Sequence, residues 1–287
     1  MNPLAFDFMQ RALLAAVLVG FAAPAVGVFL VQRRLALMGD GIGHIALTGV
    51  ALGFLLGTAP VLTAVVVAVA GSVVMELVRQ KGRTGGDVAL ALMFYGGIAG
   101  GVLLIGLSPG GTNANLLSYL FGSLTAVSPG DLVIITTLSA ALLLTLAVLG
   151  RHLFAVCHDE EYARVAGLPV GVLNLVLAVM AAVTVTVAMR VVGLLLVSAL
   201  MVVPVATAQQ LVRGFRATVL VALGTGALAS VTGVLGSFYA KTAPGALIVV
   251  VALGIFAVAA LFGALVRSRR AARADDEPAH PREALAR

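Results

Sequence analysis

Long apolar runs separated by short polar breaks recur along almost the whole chain, at residues 12–31, 35–57, 61–79, 88–107, 131–150, 171–189, 191–211, 214–235 and 245–266. Each has roughly the 17–25 residues that a helix needs to cross the hydrocarbon of a bilayer. Because lipid offers the backbone no hydrogen-bond partners, a run of this kind has to be helical to cross. The pattern predicts an all-α, polytopic integral membrane protein with eight to nine transmembrane helices. The count turns on 191–211, where Pro204 removes a backbone donor and allows a re-entrant or broken helix instead of a full crossing.

Composition and charge refine this picture. With 61% hydrophobic and 10% charged residues among 287, the chain lacks the polar surface of a soluble globule. If all nine runs cross, alternate breaks share a side. One side then collects fifteen of the eighteen lysines and arginines, from Arg33 and Arg34 to Arg287, and the other holds Arg11, Arg190 and Lys241. The positive-inside rule places the richer side, and the C-terminus, in the cytoplasm. The net charge of +6 is thereby a topology signal, and no nucleic-acid partner is implied. The first run is too long for the apolar core of a signal peptide and ends at Arg33-Arg34, as an anchor does. Residues 1–266 are read as one transmembrane domain, and 267–287, with Arg-rich, acidic and proline-containing stretches, as a disordered cytoplasmic tail. Gly96, Gly97, Gly100 and Gly101 in one run, and Gly224, Gly226 and Gly233 in another, are expected to let helices pack closely.

The second run, LALMGDGIGHIALTGVALGFLLG, carries an aspartate and a histidine four positions apart, Asp40 and His44. That spacing stacks both side chains on one helix face. Counting from Arg34 at about 1.5 Å per residue, Asp40 lies about 9 Å and His44 about 15 Å into the helix, the latter near mid-bilayer. Ionisable groups at that depth are costly and mark a path for an ion, a proton or a polar solute. A carboxylate and a neutral imidazole suit a divalent transition ion. Two ligands bind weakly, as a conducting site requires, and two-fold pairing of chains would bring four to the axis. The alternatives are that the pair bond each other or a nearby carbonyl, or that they relay protons.

Between the fifth and sixth runs lies RHLFAVCHDEEYARVAGLPV. Its acids open a short helix and Gly167 and Pro169 close it, which makes a segment fit to dock a cytoplasmic partner. His152, Cys157, His158 and Asp159 form a nominal ligand cluster, but at no zinc-motif spacing. Cys157 is the sole cysteine, so no intramolecular disulfide can form. No phosphate-binding loop of the G-x-x-x-x-G-K-[ST] type occurs, and no acid–base or nucleophilic constellation sits in the membrane. The chain is therefore read as a transport component, not an enzyme, and any ATP-driven motor has to be another polypeptide.

The run LMGDGIGHIALTGVALGFLLG resembles the signature of the zinc and manganese ABC importer permeases. DEEYARVAGLPV resembles that family's coupling segment, VVGLLLVSALMVVPVATAQQL its Val-Gly-rich segment, and the weaker YLFGSL block fits as well, so that the match extends over roughly residues 10–266. The resemblance implies a multi-pass protein of the cytoplasmic membrane, working as a homodimer with ATPase subunits and an extracytoplasmic metal-binding protein. Zn2+ or Mn2+ is then the transported substrate, zinc favoured, ATP is used by the partner, and no cofactor is permanently bound. It places Asp40 and His44 on the metal's route, and Asp159, Glu160, Glu161, Tyr162, Arg164 and Gly167 at the ATPase contact. Gly43 stands where the family commonly has Ser and Thr48 where it often has Pro, departures that bear on local helix geometry. Two other readings compete: an ATPase-independent secondary carrier in which the pair relays protons, and a scaffold in which it is only structural.

Overall fold

The computed structural model describes residues 5–80, 86–108, 113–125 and 127–275, with backbone alone at 86–87, 113–116 and 266–275. Eleven helices run in chain order among them: α1 (Asp7–Gln32), α2 (Met38–Leu56), α3 (Pro60–Gln80), α4 (Gly86–Leu107), α5 (Asn113–Phe121), α6 (Pro129–His158), α7 (Glu160–Val165), α8 (Val170–Ala188), α9 (Val197–Leu211), α10 (Phe215–Ala240) and α11 (Pro244–Asp275). Eight of them are long and apolar enough to cross a membrane, and α9, at 15 residues, is short of that length. The short α5 has no counterpart in the hydropathy pattern. Of the expected tail at 267–287, residues 267–275 continue α11, and 276–287 lie outside the described residues, as do Lys81 and Arg83.

Local chemistry accounts for the helix ends. Ser128 and Asp131 form a reciprocal capping box at the start of α6, with Pro129 at its first turn. The α1–α2 corner closes on Leu35 N–H to Leu30 C=O at 2.8 Å, with Arg34 in the left-handed region at φ 58°. As the sequence predicts, Asp159 caps α7 by accepting from the Tyr162 N–H at 2.9 Å, and Gly167, at φ 82°, ends it.

Two ends of the bundle are defined by contacts. At one, Arg33 after α1 bonds Asn174 and Glu160, and Gln80 at the end of α3 bonds the Gly171 carbonyl at 3.0 Å. Phe29, Phe154 and Phe215 meet there too, which brings the ends of α1 and α6 beside the start of α10. At the opposite end Phe6 packs on Phe238, and Phe8, Gly122, Thr125 and Lys241 surround one cavity. The described side chains of the arginine-rich set thus gather at one end, in agreement with alternate crossings.

The chain returns from the far end of α8 to the arginine-rich end of α9, but only part of that path is helical. Residues 189–196 are irregular and mostly buried, pinned by Leu194 N–H to Tyr119 C=O at 2.9 Å and Leu195 N–H to Leu120 C=O at 3.2 Å. A full-length helix at 191–211 is therefore replaced by a broken one, yet Pro204 is not the break: it lies within α9, and the turn to irregular backbone occurs around Gly193, at φ 87°. Most of α1, α2 and α8 is buried, whereas α4, α6 and α11 present apolar faces outward, among them Leu92, Leu103, Leu144, Val148, Leu261 and Phe262. Faces so extensively apolar are those of a lipid-embedded bundle.

Close packing follows the glycines only in part. A Cβ on Gly97 would lie 2.6 Å from the His44 carbonyl carbon, so α4 rests directly on the α2 backbone, and one on Gly27 would lie 1.9 Å from the Met201 carbonyl oxygen. Gly96 and Gly224, expected among the packing glycines, face open space.

Candidate functional site

Asp40 opens α2 and His44 follows one turn later, so that helix geometry alone puts both on one face. They do not bond each other. Asp40 accepts a hydrogen bond from the Ser198 hydroxyl at the start of α9, 158 positions on in the chain. Its remaining side borders a cavity of about 250 Å³ lined by Leu37, Leu90, Ala91, Phe94 and Tyr95, the last largely exposed on α4.

His44 is held differently. Its ring meets the Phe94 ring edge-on, with centroids 4.2 Å apart. Its Nδ1 is buried and has no hydrogen-bond partner among the described residues. A polar atom buried without a partner carries an unmet cost of about 1–3 kcal/mol, which a ligand can relieve. The backbone around it is fixed on three sides: Gly97 beneath the His44 carbonyl, the Leu194 carbonyl beside Gly43, and the Thr48 hydroxyl bonded to the Gly97 carbonyl at 2.8 Å. Thr48 therefore performs a tethering role between α2 and α4 that proline has no hydroxyl to perform.

Chemically, the pair supplies two donors of the kind a metal site uses. One carboxylate and one imidazole one turn apart can share a cation, but among the described residues no group of three or more His, Cys, Asp or Glu is gathered. His152, Cys157, His158 and Asp159 accordingly do not converge. A complete coordination shell has to draw on water or on a second chain.

Two charged clusters sit at the two ends of the bundle, and the long-range pair that anchors each, Arg33–Glu160 and Arg190–Asp131, is not legible from spacing. At the arginine-rich end Glu160 of α7 pairs with Arg33 and, at 3.3 Å, with Arg164. Glu76 of α3, buried, bonds Arg79 at 2.8 Å and Gln80 at 3.0 Å. The other expected docking residues, Glu161, Tyr162 and Gly167, are exposed on the outside of α7 or its closing turn. At the opposite end Arg190 pairs with Asp131 at 2.6 Å and lies 5.0 Å from the Tyr119 ring centroid. Asp131 sits in the Ser128 capping box, so this cluster ties the irregular 189–196 segment to α5 and α6.

A family model described as the ABC 3 transport family matches residues 5–263. The manganese transport system membrane protein MntC of Halalkalibacterium halodurans is 32% identical over 277 residues, covering 95% of this chain and 94% of that protein. The chelated iron transport system membrane protein YfeD of Yersinia pestis is 31% identical over 261 residues, covering 91% and 87%. Among solved structures, a chain of PsaBC from Streptococcus pneumoniae in complex with a Fab superposes with a TM-score of 0.80 at 31% identity, over 88% of this chain and 91% of that one.

Proposed function

The chain belongs to the ABC 3 transport family, and from that premise we propose that it conducts a divalent transition metal into the cytoplasm through a route on which Asp40 and His44 touch the ion. It is a multi-pass membrane permease of an ABC metal importer. The ATPase-independent carrier is not favoured by this membership. Among the relatives cited above, manganese and iron appear in the printed names, so zinc gains no support and Mn2+ becomes the first choice of cargo. Hard carboxylate and borderline imidazole donors accept Mn2+ and Fe2+ as well as Zn2+.

The observation that carries the reading is the buried, partnerless Nδ1 of His44 one turn from the Asp40 carboxylate. A homodimer would bring two such pairs together and raise the ligand count to four. Orientation follows from charge: the end holding Arg33, Arg79, Arg151 and Arg213 faces the cytoplasm, where Asp159–Gly167 meets an ATPase subunit. Glu160 would pass the motion of that contact inward, because its partner Arg33 terminates α1 and bonds Asn174 of α8. A metal-binding protein would deliver the ion at the opposite end.

Cells lacking other manganese importers, supplied with this permease and its partner subunits, test the proposal by accumulation of radiolabelled Mn2+. Asp40→Ala and His44→Ala are expected to abolish uptake at unchanged protein level in the membrane. Wild-type uptake by both variants would remove the site.

A further inference from the structure

Among the described arginines of the cytoplasmic end, two groups contrast. Arg33, Arg79 and Arg164 are each neutralised by Glu160 or Glu76. Arg151, Arg213 and Arg216 instead line one cavity of about 590 Å³ between the end of α6 and the start of α10, together with Phe154, Gly214 and Phe215, and no carboxylate lines it. Positive charge with no carboxylate beside it among the described residues, around a partly aromatic hollow, has the chemistry of a site for an anion with an apolar body.

Depth in the membrane narrows the choice. Along α6, at about 1.5 Å per residue from Pro129, Val148 lies about 29 Å and Arg151 about 33 Å from the start, at the inner edge of a hydrocarbon layer about 30 Å thick. The faces leading from the cavity into that layer are apolar and exposed. Val148 and Leu144 precede Arg151 by three and seven residues, and Leu220 follows Arg216 by four, so each shares a face with its arginine. Phosphate would meet three guanidinium forks, which bind its oxygens in pairs, while acyl chains would lie along Leu144, Val148 and Leu220.

We propose that this cavity binds an anionic glycerophospholipid of the cytoplasmic leaflet, its phosphate held by Arg151, Arg213 and Arg216 and its glycerol region against Phe154 and Phe215. Basic pockets between membrane helices on the cytoplasmic side are suited to such headgroups. Arg151 lies on α6 and Arg213 between α9 and α10, so an occupied site would bridge α6 to the α9–α10 corner.

Delipidated full-length protein in a neutral detergent, titrated with phosphatidylglycerol or with phosphatidylcholine of the same chains, tests this, with bound lipid counted by native mass spectrometry. The expected result is a preference for phosphatidylglycerol that falls by about fivefold in each single Arg→Gln variant and by on the order of 100-fold in R151Q/R213Q/R216Q, with phosphatidylcholine binding unchanged. The single variants keep the test decisive if the triple variant does not fold. Equal affinity of the wild type for the two lipids, or an undiminished preference in the variants, would overturn the assignment. So would displacement of phosphatidylglycerol by micromolar inorganic phosphate, which would mark a free-anion site. Loss of the lipid on addition of the ATPase subunit would assign the arginines to that protein's acidic surface instead.

Discussion

Arg190→Ala removes the cation that fastens the irregular 189–196 segment to α5 and α6. The pair with Asp131 is largely buried, at 15% and 11% side-chain exposure, and its 2.6 Å separation makes it a short, charge-assisted bond. Truncating one partner of a buried pair costs about 3–5 kcal/mol, mostly because the other charge is left unpaired. Here the Asp131 carboxylate keeps its two bonds from Ser128, which places the expected loss near the lower figure, about 3 kcal/mol. The lost contact over Tyr119 adds about 0.5–1 kcal/mol. At roughly 2–4 °C per kcal/mol for a chain of this size, the midpoint of thermal unfolding in detergent should fall by about 7–16 °C. A double-mutant cycle with Asp131→Asn isolates the pair. The double variant should be little worse than Arg190→Ala alone, since each single change already breaks the same contact. A loss below about 1 kcal/mol in Arg190→Ala, the value of an exposed pair, would refute the reasoning and show that the segment is held by its backbone bonds to Tyr119 and Leu120.

Three further outcomes follow. Gly97→Ala drives a Cβ into the His44 carbonyl carbon at 2.6 Å and should cost about 1–3 kcal/mol in thermal unfolding together with most Mn2+ uptake, whereas Gly96→Ala, which meets nothing within 4 Å, should leave both within error or stabilise slightly. Glu160→Gln, at a position 38% exposed, should shift unfolding by less than about 1 kcal/mol yet reduce uptake several-fold by loosening α7 from Arg33; full uptake in this variant would deny that pair a coupling role. Ser198→Ala frees the Asp40 carboxylate of the side-chain partner it has among the described residues, and the half-saturating Mn2+ concentration for uptake should move at unchanged protein level, a shift that an unaffected uptake curve would rule out.

What could be read from the chain was whatever depends on local order. Hydropathy located the eight long helices because each is nearly all apolar over 19 or more residues. Asp159 and Gly167 marked both ends of α7, since a cap and a left-handed exit are properties of single residues. Hydropathy failed where apolar residues are not helical: Val191, Val192 and Leu194 look like helix but are irregular backbone, the first two bonded back to Ala188 and the third to Tyr119 of α5, whose nine residues are too few to register as a run. The pair Asp40–His44 was visible from its spacing, but its partners were not. Ser198 is 158 positions away and Asp131 and Arg190 are 59 apart, and no periodicity joins residues at such distances. Only the three-dimensional fold distinguishes Gly97, which bears on His44, from its neighbour Gly96, which bears on nothing.

An imidazole inside the membrane that touches the transported ion leaves a spectroscopic trace. Pulsed electron paramagnetic resonance on Mn2+ bound to the purified permease complex in lipid nanodiscs reads this directly, because a coordinated histidine nitrogen couples to the Mn2+ electron spins. The expected result is one Mn2+ per two permease chains, with nitrogen coupling that disappears in His44→Ala. Bound Mn2+ that shows no nitrogen coupling, or coupling that survives the loss of His44, would contradict it.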